Sequence, residues 1–483
     1  MSDLDLLYTD VEEDLRSSVR SLLRDRCEPA AVAGLYDGRH GPKGLAEALG
    51  TDLGLAALLV PEDLGGAGAS AREAAVVLEE IGRAVAPVPF LTSSVIATTL
   101  LLEAGSDLVT GLADGSLTAA VAVPFSAAPD RSPGGVSAAG GVLTGEVRSV
   151  AGALDADLLL VPVAVPDGVE VYAVEATAAS VTPVVSLDMS RQVADIGLDG
   201  AAGRLVVGGA AGADALRTAL GTGAALLASE QAGLAQWCLE TTVAYLKERR
   251  QFGRVVGGFQ AVKHRLADLF VEVESAVAAA RHAAAAVAAG DPDAAVATAV
   301  AQAYCSDAAV HAAEEALQLH GGIGMTWEHP VHLYLKRAKA DQVALGTPGH
   351  HRSVLAGLVD IAPPGDGGMT VAAGRASCPA AAPEGGARAV SAVEGPDPVG
   401  AAPVRARRVL GAATRAPADG APVPPHGFPA GRASSASAAP RAVGGGRTPS
   451  YPAGGAAPPV RRRAAPHARG TEPRAHHIRR RRA

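Results

Sequence analysis

The apolar residues of this 483-residue chain change their period twice, and that double change limits the possible folds more than any other feature. In "DVEEDLRSSVRSLLRDRC", Val11, Leu15, Val19, Leu22 and Leu23 recur at helical spacing and so share one helix face. "EAAVVLEEIGRAV" repeats the stripe, and the Pro/Gly-rich "LLVPEDLGGAGAS" between them reads as a loop. From about residue 116 to 207 the runs become short and β-type: "TAAVAVPF", "ADLLLVPVAV", "VEVYAVEA" and "GRLVVGG", separated by Gly, Asp and Pro. Helical spacing returns from Asp214 to about Val359, with Phe259, Val262, Leu266, Leu269 and Val273 on one face. Helices, strands, then helices again predict an α+β multidomain protein. The expected units are an N-terminal helical domain (1–115), a small middle β-domain (116–210) and a C-terminal helical bundle (211–360).

A different texture begins near residue 361. From there to residue 483 the chain has 18 arginines, no lysine and six acids, a charge of +12; the whole chain carries −8, so the first 360 residues carry −20. Alanine, proline, glycine and arginine dominate this tail without apolar periodicity, so it cannot bury enough surface to offset the entropy of ordering and is expected to be disordered. Arginine without lysine reads as GC-rich coding sequence translated in a changed frame. No aromatic platform accompanies the arginines, so no nucleic-acid function is assigned.

In the acidic body, few side chains can be large. Aromatics are 3% of a chain that is 48% hydrophobic, so the core has to be made of small residues between closely approaching helices. Cys27, Cys238, Cys305 and Cys378 show neither metal-ligand spacing nor a disulfide framework. With an acidic N-terminus and no membrane-length apolar run, the expectation is a soluble protein of the reducing cytoplasm.

Two segments carry chemistry. In "ALQLHGGIGMT", residues 316–326, a helical pattern runs into Gly321-Gly322. Paired glycines there either stop the helix through positive φ or let a ligand approach the backbone, and the two readings are compatible. In "YLKERRQFGRVVGGFQAVKHRLADL", residues 245–269, Arg249 or Arg250 can give a bidentate pair to a phosphate, Phe252 can pack on a flat ring, and Gly253 lets the chain turn. The plainer reading of Glu248-Arg249-Arg250 is a solvated helix end whose cations favour the C-terminal dipole. His320, His350 and His351 have no carboxylate or cysteine at metal-ligand spacing; the pair in "GTPGHHR", His350 and His351, reads as surface imidazoles, and no metal is assigned.

These two segments, in this order and some seventy residues apart, together with "VPEDLGGAGAS", closely resemble the acyl-CoA dehydrogenases over about residues 5 to 360. The resemblance implies a β-barrel-like middle domain between a helical N-domain and a four-helix bundle. It also implies tetramers that hold FAD, oxidise acyl-CoA thioesters to 2-enoyl-CoA and reduce an acceptor of the electron-transfer-flavoprotein type. Residue by residue, Arg249, Gln251 and Phe252 match the segment that reaches a neighbouring subunit's FAD at its pyrophosphate and adenosine half. Gln318 and Gly322 match the second strip, and Thr347 joins the cofactor-contacting set.

The chain also departs from that family. Immediately before Gly-Thr, where a catalytic glutamate ordinarily stands, it has Leu345; a second position used for the base corresponds to about Gly223. Neither can accept a proton. The Thr-Glu-Pro-x-Ala-Gly-Ser-Asp loop is unrecognisable, and Ser149 to Ala151 stand in place of the Trp-x-Thr that flanks the flavin ring. An intact adenosine side beside a degenerate ring side implies the partner-type subunit of a heteromeric α2β2 enzyme, completed by a homologous chain. The alternatives are a homotetramer with a moved base and a catalytically silent subunit that scaffolds or binds acyl-CoA. Glu230 shares a helix face with Leu227, Leu234, Trp237 and Thr241, as either half of a buried salt bridge or a relocated base with raised pKa. Asp341, one turn before Leu345, is the second candidate base.

Overall fold

The computed structural model describes residues 4–360; the tail read as disordered, with Cys378, lies outside the described residues. Helix α1 (Asp10–Arg26) starts at a capping box in which the Thr9 side chain accepts from the Glu12 N–H and Glu12 accepts from the Thr9 N–H. Val19 and Leu23 are buried as its periodicity predicts, but Val11 is 69% exposed. Glu12 turns inward instead, receiving Arg72 at 3.1 Å and Arg281 at 2.6 Å. Burial raises that carboxyl, and the bonds from Arg72, the Thr9 backbone and Arg281 outweigh it, holding the pKa at about 2.

Helix α2 (Ala71–Ala84) opens on a second capping box, Ser70 with Glu73, and is buried along most of its length. It crosses the 40-residue helix α3 (Gly209–Glu248) at two glycines. A Cβ on Gly82 would fall on the carbonyl of Glu230, and one on Gly233 would fall on the carbonyl of Glu79. The two backbones therefore touch, which is why this core is made of small residues. Helices α4 (Gln260–Ala288) and α5 (Ala294–His320) pack beside α3 around an alanine core that includes Ala228, Ala232, Ala276, Ala280 and Ala301. Two shorter helices, α6 (Val331–Val343) and α7 (Pro348–Leu358), close the bundle against α5.

The middle region holds eight strands: β1 (Ala119–Val121), β2 (Val136–Ala139), β3 (Val142–Ala151), β4 (Leu158–Val165), β5 (Gly168–Glu175), β6 (Ser180–Val184), β7 (Val193–Ala202) and β8 (Arg204–Val207). They form two four-stranded sheets, β1-β4-β5-β8 and β2-β3-β7-β6, antiparallel except for the parallel pair β1 and β4. Leu159, Val161 and Val174 of the first sheet share one core with Leu143, Val147, Ile196 and Leu198 of the second. The barrel-like expectation is corrected here: the sheets face each other and do not close. Their edge strands run only three to five residues, too short to carry a ladder from one sheet to the other. Among the described residues, no helix is long and apolar enough to cross a membrane.

Candidate functional site

Where the middle region meets the bundle, five charged side chains are buried together. Arg191, just before β7, donates to Glu230 of α3 at 2.5 Å and to Asp341 of α6 at 2.5 Å. Arg337, fully buried on α6, donates to Glu230 at 2.7 Å and to the Ser190 hydroxyl at 2.8 Å, and lies 3.5 Å from Asp188. Asp188 in turn accepts from the Ser190 N–H at 2.9 Å and hydroxyl at 2.6 Å.

Three carboxylates face two guanidiniums, so one proton neutralises the cluster, and the electrostatics place it on Asp341. Burial, together with repulsion from Glu230 and Asp188, pushes that carboxyl up to about 8 against the pull of Arg191 and Arg337. Burial also opposes ionisation of Glu230, but Arg191 and Arg337 outweigh it and hold that group below the ordinary carboxylate range. Glu230 is thus an ionised, doubly paired group in this geometry, with no lone pair turned to an open cleft.

The pH dependence follows from Asp341. Between its model-peptide value of 3.8 and about 8 the folded chain keeps a proton that the unfolded chain releases, so this group makes stability fall as pH rises through that window. Asp341→Asn keeps a neutral polar group in place. Thermal melts from pH 5 to 9 are expected to show a flatter profile for the variant and a higher midpoint than wild type at pH 9; identical profiles would refute protonation at this position.

Leu345, at the usual base position, is 1% exposed and sits at φ 52°. Both its backbone groups are engaged: its N–H donates to the Phe125 carbonyl at 2.8 Å, and its carbonyl accepts from His351 Nε2 at 3.0 Å. Its side chain meets the second usual base position, because a Cβ on Gly223 would stand 3.3 Å from Leu345 Cδ1 and 2.6 Å from Ile96. What remains between them is a void of about 20 Å³ lined by Thr92, Ile96, Phe125, Ala151, Leu220 and Leu345 among others. Apolar side chains fill the space between Leu345 and Gly223.

The C-terminal end of α3 is open. Arg249 caps the helix and leads into a two-residue ribbon, β9 (Arg250–Gln251) and β10 (Arg254–Val255), with Gln251 opposite Arg254. The connecting residues Phe252 (φ 52°) and Gly253 (φ 73°) both have positive φ, as a type I′ turn requires. The turn thrusts the Phe252 ring out, 90% exposed, edge-on to Phe259 at 6.3 Å. Across from the ribbon, α5 ends at Gly321, whose φ of 63° and ψ of −138° suit only glycine. Gly322 has another use: nothing lies within 4 Å of where its Cβ would be. Between the two segments is a cavity of about 320 Å³ whose walls include Tyr245, Arg249, Gln251, His320, Gly321 and Gly322. The Arg249 guanidinium has no ion-pair partner among the described residues.

The structure therefore brings Arg249, Gln251 and Gly322 to one cavity, with Phe252 projecting beside it. Gln318 is exposed and outside the lining, its carbonyl accepting the Gly321 N–H. Thr347 is elsewhere, capping α7 by accepting the His350 N–H at 3.2 Å. The surface-imidazole reading is corrected for His351, which is 4% exposed and tucked under the turn that follows α6, while His350 pairs with Asp130 at 2.8 Å; His320 is buried as well. Sequence reasoning missed Arg191, Arg337 and Asp188: Arg191 reaches Glu230 and Asp341 across 39 and 150 positions, and Arg337 reaches Glu230 and Asp188 across 107 and 149. Among the described residues, no group of His, Cys, Asp or Glu has a metal-binding arrangement.

Comparison with known proteins places this geometry. Residues 9–109 match the acyl-CoA dehydrogenase N-terminal domain and residues 210–358 the acyl-CoA dehydrogenase C-terminal domain. The acyl-CoA dehydrogenase IpdE2 of Mycolicibacterium smegmatis is 34% identical over 337 residues, 70% of this chain and 94% of that protein. The IpdE2 of Mycobacterium tuberculosis is 37% identical over 340 residues, 69% and 92% of the two chains. Among solved structures, the ChsE4-ChsE5 complex from Mycobacterium tuberculosis is similar with a TM-score of 0.66 and 28% identity, over 74% of this chain and all of that one. With matching domains at both ends and relatives that align over nearly their whole length, this chain belongs to the acyl-CoA dehydrogenase family.

Proposed function

We propose that this chain is the partner-type subunit of a heteromeric, FAD-dependent acyl-CoA dehydrogenase, one that lends the phosphate and adenosine half of a flavin site to a homologous neighbour while its own acyl cleft is closed. The observation that carries this reading is the contrast between the C-terminal end of α3 and its interior. The end has an open cavity with Arg249, Gln251 and Gly322; the interior has Leu345, Ile96 and Gly223 in contact and only about 20 Å³ between the surrounding side chains. Structural likeness to a two-protein complex supports the heteromeric form.

The residues present fit one part of the cofactor and not the other. Arg249 offers an uncommitted guanidinium for a diphosphate, and Gly322 leaves backbone accessible where a side chain would block it. On the ring side, Leu345, Ile96 and Gly223 stand together, and about 20 Å³ remains beside Phe125 and Ala151. When bound, a flavin would supply the acceptor for hydride from the β-carbon of a thioester, and the α-proton would need a base. Neither usual position supplies a base, since Leu345 and Gly223 cannot accept a proton; Glu230 is committed to Arg191 and Arg337, and Asp341 is buried in the same cluster against Arg191. Its part is to grip phosphate, orient the nucleotide with backbone and Gln251, and cover the site with the exposed Phe252 ring.

Co-expression with a homologous chain should yield a yellow complex whose visible spectrum reports bound flavin. Arg249→Ala, which removes a charge-assisted hydrogen bond of about 1.5–3 kcal/mol, is expected to weaken flavin retention at least about tenfold without altering assembly. A homotetramer of this chain alone with a full flavin complement and acyl-CoA turnover would overturn the proposal. A complex that stays colourless would favour the silent scaffold, which the closed cleft also fits.

A further inference from the structure

A cavity of about 550 Å³, sharing no residue with the Arg249 cavity, opens where the N-terminal helices meet the middle region. One side of it is the loop "DGRHGPKG", residues 37–44, which brings Arg39, His40 and Lys43 to the lining. Gly38 and Gly44 have φ of 70° and 61°, so the loop turns where other residues would be strained. The Arg39 guanidinium lies on Gly34, where a Cβ would stand 3.3 Å from it, and it gives one N–H to Asp37 at 2.9 Å. His40 and Lys43 have neither an ion-pair partner nor a side-chain hydrogen bond among the described residues. Lysines solvated on a convex surface need none. Here three basic groups within five positions border a hollow whose walls include the apolar Leu35, Val88, Pro89 and Met189, and a concave wall of low dielectric strengthens their field. Asp155 lines the same hollow, and its carboxylate is unpaired among the described residues. Thr92 borders both this cavity and the void beside Leu345, so it stands between the open space and the closed one.

We propose that this cavity binds a free monocarboxylate with an apolar body, its carboxylate held by Arg39, His40 and Lys43 and its body lying on Val88, Pro89 and Met189, with Asp155 selecting against a second negative charge. The two kinds of wall require the two parts of the ligand. A small anion would leave the apolar side wet, and a neutral apolar molecule would cover basic groups without pairing them. A ligand charged at both ends would bring one carboxylate towards Asp155. The inference goes beyond the flavin reading and does not depend on it, because none of these residues belongs to the Arg249 cavity.

Calorimetric titration of the full-length chain at neutral pH tests this with octanoate, octanamide, acetate and suberate as probes. Octanoate should bind at least about tenfold tighter than octanamide, which lacks the charge, and at least about tenfold tighter than acetate, which lacks the body. Arg39→Gln combined with Lys43→Gln is expected to weaken octanoate about five- to tenfold and to leave octanamide unchanged. Asp155→Asn should strengthen suberate about three- to tenfold by removing a like charge and hardly alter octanoate. Arg249→Ala, in the other cavity, should leave octanoate binding as it was. Absence of octanoate binding to the wild type, or equal binding to the double variant, would overturn the site. Octanamide binding as tightly as octanoate would overturn the role of charge, and suberate unmoved by Asp155→Asn would overturn the selection by Asp155. Loss of octanoate in Arg249→Ala would place the acid in the other cavity and overturn the assignment to this one.

Discussion

Arg337→Met is expected to lower the unfolding free energy by about 3–5 kcal/mol, the largest loss of any single substitution considered for this chain. Arg337 is fully buried and faces three carboxylates, Glu230 at 2.7 Å, Asp188 at 3.5 Å and Asp341 at 3.6 Å. Methionine fills much of the arginine stem's volume, so the loss reports charge and hydrogen bonding rather than a cavity. Without the guanidinium, Arg191 alone opposes the three acids, and at least one more of them has to take up a proton or stay ionised and unpaired. Pairing the substitution with Glu230→Gln removes one charge of each sign and should recover part of the loss, giving a non-additive cycle. Denaturant unfolding of the three variants measures this. A loss below about 1 kcal/mol for Arg337→Met would mean that water reaches the cluster and that it is not the closed ionic core described.

Leu345→Glu restores the residue type ordinarily found before Gly-Thr, and the expected result is damage without activity. The new carboxyl would lie against Ile96, Phe125 and Leu220 in a space already filled by apolar side chains. Displacing a buried apolar side chain and burying an unpartnered polar one costs about 2–4 kcal/mol together. The introduced acid would have a raised pKa, so the folded chain would hold a proton the unfolded chain releases, and the penalty would grow as pH rises. Melts at pH 6 and pH 9, beside a thioester-oxidation assay of the co-purified complex, read both effects. Unchanged stability with new turnover would show that the cleft opens, and the partner-type reading would fall.

The sequence revealed one sheet and hid the other for a physical reason. The four β-type runs correspond to β1, β4, β5 and β8, the sheet whose β4 is buried on both faces over most of its length and reads almost entirely apolar. None of β2, β3, β6 or β7 was foreseen. In "VLTGEVRSVA" and "VADIGLDGAA" one face is wet, and the inward residues are interrupted by glycine, serine and register shifts. That leaves too weak an alternation to stand out. Val11 illustrates a different failure: periodicity placed it inside, but an inward Glu12 with two arginine partners displaced it, and such partners are invisible locally. At the candidate site, the glycines and Arg249 could be read because turn chemistry and a basic helix end are local signals. The burial of His320 could not, because it rests on the rings of Tyr245 and His329, from two other segments.

The backbone contact between α2 and α3 sets a delay during synthesis. Gly82 meets Glu230 across about 150 intervening positions, so at roughly 5–20 residues per second the amphipathic helix α2 leaves the ribosome some 8–30 s before its partner exists. Throughout that interval α2 has α1 to pack on but lacks the α3 face it meets in the folded chain, and a nascent chain in this state is a natural client for a holdase chaperone. Slowing translation between residues 84 and 230 should therefore lower the yield of native protein more than the same slowing placed after residue 250.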